Sequence, residues 1–132
     1  MGLLRTAALL KRRGARLVVA HGLSLEQYNV LRILRGANPE SLPTLEIVGR
    51  MVEPSPAITR LLDKLESNGF VYRARSPEDR RQVLCSITPK GLDLLAELDG
   101  PIDRDHADSI KLGRDDLDAL IRLLDKVRAA LA

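Results

Sequence analysis

Residues 76–91, SPEDRRQVLCSITPKG, carry a β-hairpin pattern in a chain whose other segments mostly favour helices. Val71–Arg75 is the predicted outgoing strand, Ser76–Asp79 the charged turn and Gln82–Ile87 the returning strand. Thr88 is then a suitable N-cap for another helix, with a proline at the first helical position. The residues that alternate onto one face of the returning strand are Val83, Cys85 and Ile87. This pattern predicts a mostly α fold with a small β-hairpin.

Two helical segments lie directly before the hairpin. Thr44 suits the N-cap of a short helix from Leu45 to Val52. After a turn, Ser55 and Pro56 suit the N-cap and the first position of a second helix, which Asn68-Gly69 ends. The apolar stripe of this second helix has the spacing i, i+3, i+4, i+7 and consists of Ile58, Leu61, Leu62 and Leu65. A short helix, a turn, a second helix with a polar outer face and a hairpin together predict a winged helix-turn-helix.

The predicted winged helix-turn-helix covers residues 25–91 and is flanked by helical segments at residues 1–22 and 92–132. Gly100-Pro101 is expected to kink or break the helix after the hairpin, because proline lacks the N–H group that a helix needs. A final helix, Arg114–Leu131, has an apolar stripe formed by Leu117, Leu120, Ile121, Leu124, Val127 and Leu131. The small winged core cannot cover both this stripe and the first helix, so the flanking segments are predicted to form a homodimerisation region. Packing within one chain is the alternative.

Upstream, two further local patterns are present. Ser24 and Gln27 predict a capping box at the start of a helix, because each side chain can bond to the backbone N–H of the other residue. The glycine and prolines of residues 36–43 predict a loop after that helix.

The composition is that of one soluble domain of 132 residues. Aromatic residues make up 2% of the chain, which argues against modules that stack nucleobases on aromatic side chains. Residues 1–54 have a net charge of +4 and residues 55–91 of +3, whereas residues 92–132 have −4. The first two thirds are therefore the part suited to approach a polyanion. A single cysteine and no long apolar segment predict a cytoplasmic protein without a membrane partner.

The sequence lacks several common catalytic motifs. It has no glycine-rich phosphate loop, no nucleophile elbow and no HExxH motif. His21 and His106 lack the spacing of metal ligands, and the acidic residues Asp103, Asp105 and Asp108 lack the length of an EF-hand loop. We therefore expect no catalytic activity, no cofactor and no metal.

Three segments resemble the MarR (multiple antibiotic resistance regulator) family of bacterial transcription factors. They are GLSLEQYNVLRIL (22–34), SPAITRLLDKLESNGFV (55–71) and SPEDRRQVLCSITPKG (76–91). The most specific element is the wing, with Asp79-x-Arg81, an alternating apolar strand and Thr88-x-x-Gly91. The resemblance implies a homodimeric winged-helix protein that binds a pseudo-palindromic DNA duplex, usually as a repressor.

The resemblance also implies that the recognition helix, Ser55–Asn68, enters the major groove of double-stranded DNA. Arg60 there suits the bidentate contact to guanine that is common in major-groove readout. Asp63 is expected to pair with Arg60 or Lys64, or to restrict the accepted sequences. The residues of this segment that the resemblance places against bases and phosphates are Ser55, Pro56, Thr59, Arg60 and Lys64.

For the wing, the resemblance implies that Asp79 and Arg81 form a bracing ion pair. Arg80 at the tip is then expected to enter the minor groove, where narrow grooves attract guanidinium groups. On the sequence alone the roles of Arg80 and Arg81 are interchangeable, so both are candidate DNA contacts. Arg73 and Arg75 alternate on the outgoing strand and are expected to add phosphate contacts.

A small lipophilic or phenolic effector, bound between the dimer helices and the DNA-binding part, is a further implication of the resemblance. His21 and Tyr28 are candidate neighbours of such a pocket. Cys85 lies on the apolar face of the returning strand and is predicted to be a packing residue, not a redox sensor. Two alternatives stay open: an architectural DNA binder without a ligand, and a winged-helix module for protein contacts that has no specific DNA target.

Overall fold

The computed structural model describes all residues from Met1 to Ala132. Its elements are α1 (Gly2–Val19), α2 (Leu25–Ala37), β1 (Leu42–Pro43), α3 (Thr44–Arg50), α4 (Ile58–Ser67), β2 (Val71–Arg75), β3 (Val83–Ile87), α5 (Pro89–Ser109) and α6 (Arg114–Leu131). The chain divides into two compact units, Met1–Ile102 and Asp103–Ala132. The first unit contains the helix-turn-helix pair α3–α4 followed by the β2–β3 wing, so the predicted fold class is confirmed.

One hydrophobic core holds the first unit together. Every element from α1 to α5 contributes at least one apolar side chain that loses nearly all of its solvent exposure. In the two-residue strand β1, this side chain is Leu42. The most deeply buried are Val18, Val30, Leu31, Leu34, Ile47, Leu62, Leu65, Cys85, Leu95 and Leu98. Because burial of apolar surface is the dominant favourable term in folding, this core fixes α4 and the wing relative to the other helices of the unit.

The capping box at the start of α2 is confirmed. The Ser24 Oγ accepts from the Gln27 backbone N–H at 3.1 Å, and the Gln27 Oε1 accepts from the Ser24 backbone N–H at 2.9 Å. These two bonds satisfy N–H groups that a helix start leaves without an intrahelical partner. They define where α2 begins, with Leu31 and Leu34 then facing the core.

The sheet has three antiparallel strands in the order β1-β3-β2. In the central strand Cys85 lies opposite Leu42 of β1 on one side and Arg73 of β2 on the other. The prediction of a loop throughout residues 36–43 was therefore wrong at both ends: Gly36 and Ala37 belong to α2, and Leu42–Pro43 pairs with β3. That pairing depends on a partner far along the chain, so no local pattern announces it.

The starts of α3 and α4 differ from the predictions. Thr44 is the first helical residue of α3 and follows Pro43, which makes no side-chain cap, so Thr44 is not the N-cap. The second helix begins at Ile58, not at Pro56, and its N-cap position is Ala57. Ser55 still bonds locally, because its Oγ accepts from the Ala57 backbone N–H at 3.2 Å. This bond closes a turn ahead of the helix. The recognition helix therefore spans Ile58–Ser67, which is shorter than the predicted Ser55–Asn68.

Gly100-Pro101 was expected to kink or break the helix after the wing, and the predicted break was wrong. Helix α5 runs without interruption from Pro89 to Ser109, with Pro101 inside it. Proline removes one N–H donor, but buried Leu98 and partly buried Ile102 pack against the core on either side of it. Tertiary packing therefore maintains the helix across the weak point.

Two other predictions for the C-terminal part are confirmed. Thr88 caps α5, because its Oγ1 accepts from the Gly91 backbone N–H at 3.1 Å. Helix α6 spans Arg114–Leu131 as predicted, and none of its residues is buried. No helix in the protein combines the length and the apolar character needed to cross a membrane.

Candidate nucleic-acid interface

Helix α4 separates a buried apolar side from an exposed polar side. Leu62 and Leu65 are buried in the core, whereas Thr59, Arg60 and Lys64 are exposed to solvent. The spacing of these residues along a helix with 3.6 residues per turn places the three polar side chains together on the outer side. The helix thus presents a hydroxyl and two cationic groups outward from a rigid base.

The turn before α4 holds the other two candidates of this segment. Ser55 is half-buried and accepts a hydrogen bond from the Ala57 backbone N–H, whereas Pro56 is exposed. The turn is fixed from two sides: the Asn29 Oδ1 of α2 accepts from the Val52 backbone N–H at 2.9 Å, and Lys11 of α1 forms an ion pair with Glu53. These partners lie 23 and 42 residues away in the chain, so sequence reasoning missed both contacts.

Arg73 of β2 connects the wing to α4. Its Nη2 donates to the Asp63 Oδ1 at 2.6 Å and to the Glu66 Oε1 at 3.1 Å. Its backbone N–H donates to the Glu66 Oε2 at 3.0 Å. Hydrogen bonding to Glu66, with a smaller contribution from Asp63, raises the pKa of Arg73, and burial opposes part of this effect. The expectation that Asp63 pairs with Arg60 or Lys64 was wrong, because its partner is Arg73.

The tip of the wing contains the predicted Asp79 and Arg81 contact. The Asp79 Oδ1 accepts from the Arg81 backbone N–H at 3.0 Å and lies 3.5 Å from the Arg81 Nε. The Arg81 side chain is 95% exposed, and an ion pair in that setting contributes little. The contact is also local, since it joins residues two positions apart and does not cross the hairpin.

Arg75 and Ser76 make the contacts that do cross the hairpin. The Arg75 Nη1 donates to the Arg80 carbonyl oxygen at 2.8 Å. The buried Ser76 donates its backbone N–H to the Gln82 carbonyl oxygen at 2.9 Å, and its Oγ accepts from the N–H groups of the turn at 3.3 Å. Sequence reasoning missed these roles, although a serine at the start of a turn is a known signal for such a side-chain bond.

The start of α5, which follows the wing directly, is fixed to the end of α4. The Lys90 Nζ donates to the Asn68 carbonyl oxygen at 2.8 Å and lies 5.2 Å from the centre of the Phe70 ring. A cation at a helix C-terminus is favourable because the last carbonyls carry partial negative charge. Gly69 follows with a φ of 80°, in the left-handed region that commonly ends a helix. Lys90 is a positioning contact that sequence reasoning did not identify.

Cys85 is fully buried in the central strand, as predicted for a packing residue. Burial raises the pKa of its thiol, and a hydrogen bond from the Thr44 side chain only partly opposes this effect. A thiol in its protonated form is a poor nucleophile, so this environment suppresses the reactivity that a sensor cysteine requires.

Known proteins resemble this chain in sequence and in structure. The sequence model of the MarR family matches residues 23–83. The HTH-type transcriptional regulator YkoM of Bacillus subtilis is 36% identical over 111 residues, which are 80% of this chain and 68% of YkoM. Alignments with further curated regulators of this type span 40% to 66% of the length of those proteins.

Two solved structures extend the comparison. The crystal structure of a MarR transcription factor from Planctomyces limnophilus is 40% identical, has a TM-score of 0.74 and covers 93% of this chain and 90% of its own. The transcriptional repressor CouR, solved bound to a 23-mer DNA duplex, is 29% identical, has a TM-score of 0.84 and covers 96% of this chain and 89% of its own. Together with the family match and the helix-turn-helix and wing described above, these likenesses show that the chain belongs to the MarR family of helix-turn-helix transcriptional regulators.

Proposed function

We propose that this protein binds a pseudo-palindromic DNA operator as a homodimer and represses transcription from it. The observation that carries the proposal is the exposed polar side of α4 beside a wing with arginines at its tip. A helix of this kind fits the major groove, and a hairpin beside it is placed to reach the adjacent minor groove. The proposed role is DNA binding, not catalysis. The proposed location is the cytoplasm, where bacterial DNA lies.

Residues 55–64 supply the proposed major-groove contacts. Arg60 has the fork of donors that can bond to guanine O6 and N7 together, and Lys64 is suited to a phosphate or a base edge. Thr59 can bond to either, as hydroxyl groups do. Ser55 and Pro56 lie in the turn ahead of the helix, where a chain that enters the groove passes the phosphate backbone.

The wing supplies the second set of proposed contacts. Arg80 holds its backbone carbonyl against Arg75, so its side chain extends from an ordered tip and is the proposed minor-groove probe. Arg81, almost fully exposed, is the proposed phosphate contact beside it. Arg75 uses one of its donors inside the wing and has others to offer to a phosphate.

The proposed homodimer is built by residues 1–22 and 92–132. In α1, Leu4 is 70% exposed, and in the apolar stripe of α6, Ile121 is 56% exposed. Several exposed large apolar side chains on one helix often mark an interface. A second copy of the chain is the occupant that the two-fold symmetry of a palindromic operator requires.

Repression and release by an effector complete the proposal. CouR, a structural neighbour, is named a transcriptional repressor and was solved on DNA, which supports the same direction of control here. Tyr28 is half-buried in α2 with the Arg32 guanidinium 5.9 Å from the centre of its ring. An aromatic ring beside a cation suits an aromatic acid, so a phenolic or lipophilic acid is the proposed effector class.

Fluorescence anisotropy with the DNA that flanks the protein's own gene tests the proposal. The expected result is binding that a scrambled duplex of equal length does not match, and that weakens in Arg60→Ala and in Arg80→Ala. Arg128→Ala is the control, because Arg128 pairs with Asp125 and is neither a proposed DNA contact nor part of the apolar stripe of α6. Equal binding to both duplexes would favour the alternative, a winged-helix module for protein contacts. Release of bound operator by added phenolic acids tests the effector separately.

A further inference from the structure

We propose that Arg73 acts as a positioning residue for DNA binding: it neutralises the two carboxylates of α4 and anchors this helix to the wing, and it does not itself contact DNA. This inference rests on the proposed DNA-binding function. It replaces the phosphate contact that the sequence led us to expect of Arg73.

The first step concerns the charge of α4. The helix carries the cations Arg60 and Lys64 and the anions Asp63 and Glu66, so its side chains sum to zero charge. The carboxylate side chains are 60% and 42% exposed, on a helix whose polar side is proposed to meet phosphates. Carboxylates in that position repel phosphate unless a cation is paired with them. The helix therefore needs an external positive charge to favour DNA.

Arg73 is the cation that meets both carboxylates. A single nitrogen, Nη2, bonds to Asp63 and to Glu66, at 2.6 and 3.1 Å. The side chain is only 19% exposed, compared with 34% for Arg35 and 95% for Arg81 in their own ion pairs. A phosphate can reach little of a guanidinium that is mostly enclosed, and the two carboxylates beside it would repel the phosphate.

The same contacts set the geometry between α4 and the wing. Glu66 accepts from both the backbone N–H and the side chain of Arg73, so one carboxylate holds the strand at two atoms. Strand β2 is at the edge of the sheet, where a backbone N–H has no neighbouring strand to bond to. The distance between the helix in one groove and the wing in the next is thereby fixed before DNA is bound, which lowers the ordering cost of binding.

The two roles of Arg73 predict different behaviour in a double-mutant cycle. If Arg73 only neutralises and anchors, its removal matters because two carboxylates become unpaired. In a background that already lacks those carboxylates, the removal of Arg73 should then cost little. If Arg73 contacts a phosphate, its removal costs the same in either background, and the slope of log K against log salt becomes shallower by about 0.9.

The test uses the full chain and four proteins: wild type, Arg73→Gln, Asp63→Asn/Glu66→Gln and the triple variant. Operator affinity is measured by anisotropy over a series of salt concentrations, with circular dichroism to check the fold. We expect Arg73→Gln to weaken binding about tenfold or more, whereas the triple variant binds within about twofold of Asp63→Asn/Glu66→Gln and keeps the same salt slope. The comparator is Arg75→Gln, which is expected to lose affinity and salt slope in both backgrounds.

A triple variant that stays about tenfold weaker than Asp63→Asn/Glu66→Gln, with a shallower slope, would overturn the inference in favour of a direct phosphate contact. If Arg73→Gln does not fold, the triple variant and Asp63→Asn/Glu66→Gln still make the comparison, since neither leaves a carboxylate of this pair unpaired. A wild-type protein without preference for the operator would overturn the proposed function, and this inference with it. If wild type prefers the operator and the triple variant binds about tenfold more weakly than Asp63→Asn/Glu66→Gln, only the inference about Arg73 is overturned.

Discussion

A Cβ atom on Gly91 would lie 2.4 Å from the carbonyl oxygen of Phe70, so the first turn of α5 packs directly against the chain that enters the wing. Thr88 closes the same corner, because its hydroxyl donates to the Gly69 carbonyl oxygen at 2.6 Å while accepting from the Gly91 N–H. The Thr88-x-x-Gly91 pattern thus has a structural reason. The lack of a side chain at Gly91 allows the first turn of α5 to lie directly against the Phe70 backbone at the start of the wing.

Gly91→Ala should destabilise the protein, although alanine is normally the better helix former. The added methyl group would meet the Phe70 carbonyl oxygen and the Ile87 side chain, and overpacking of this kind costs about 1–3 kcal/mol. Gly36→Ala in α2 is the matched control, because a Cβ atom there meets nothing within 4 Å. We expect that change to be neutral or stabilising by up to about 1 kcal/mol. Urea unfolding measures both, and equal effects at the two positions would contradict the close approach.

Cys85 should make the stability of the protein depend on alkaline pH. Because burial raises the pKa of its thiol, the folded state keeps a proton that the unfolded chain loses near the ordinary pKa of about 8.5. The contribution is complete below that pH and is lost as the pH rises towards the raised pKa of the folded thiol. Urea unfolding at several pH values should show a steeper alkaline loss in wild type than in Cys85→Ala. Parallel curves would mean that the thiol is not protected.

The wing tip should depend more on a backbone bond of Asp79 than on its charge. Asp79→Asn keeps an oxygen that can accept from the Arg81 N–H, so we expect a change in unfolding free energy below about 0.5 kcal/mol. Asp79→Ala removes the acceptor, and we expect a loss of about 1 kcal/mol and weaker operator binding. Thermal unfolding and anisotropy measure the two effects. Equal losses in both variants would show that the ion pair with Arg81 matters instead.

The apolar stripe of α6 should control the oligomeric state. Ile121→Asp places a charge on the proposed interface and should shift the protein to monomers, because a buried unpaired carboxylate is costly. Arg122→Asp introduces the same residue one position away, outside the stripe, and should leave the dimer intact. Analytical ultracentrifugation over a range of concentrations distinguishes them. Monomers in wild type, or dissociation by both changes, would contradict the proposed interface.

Local signals predicted much of the fold. The capping box at Ser24, the Thr88 cap and the apolar spacing of α6 all depend on residues within one or two helical turns, and each was located correctly. The alternation of the returning strand likewise reflects a period that the chain itself displays. Such features are encoded by neighbours in sequence, so one sequence suffices to find them.

What the sequence did not predict depends on distant partners. Leu42 joins the sheet because β3 lies beside it, and α5 continues through Pro101 because the core supports both of its sides. In the candidate site, Arg60 and Lys64 could be placed from helical spacing alone. The ion pairs of Arg73 could not, because they require the fold to bring a strand against a helix.

The position of β3 in the sheet also affects how the protein is made. Strands β1 and β2 each pair with β3 and not with each other, yet β3 is the last of the three in the chain. A nascent chain that has not yet extended past Ile87 therefore contains the recognition helix but no sheet. The contact of Leu42 with Cys85 must close a loop of about 40 residues, a non-local event that slows folding. During synthesis on the ribosome, the three-stranded sheet beside the recognition helix can therefore form only after β3 has emerged.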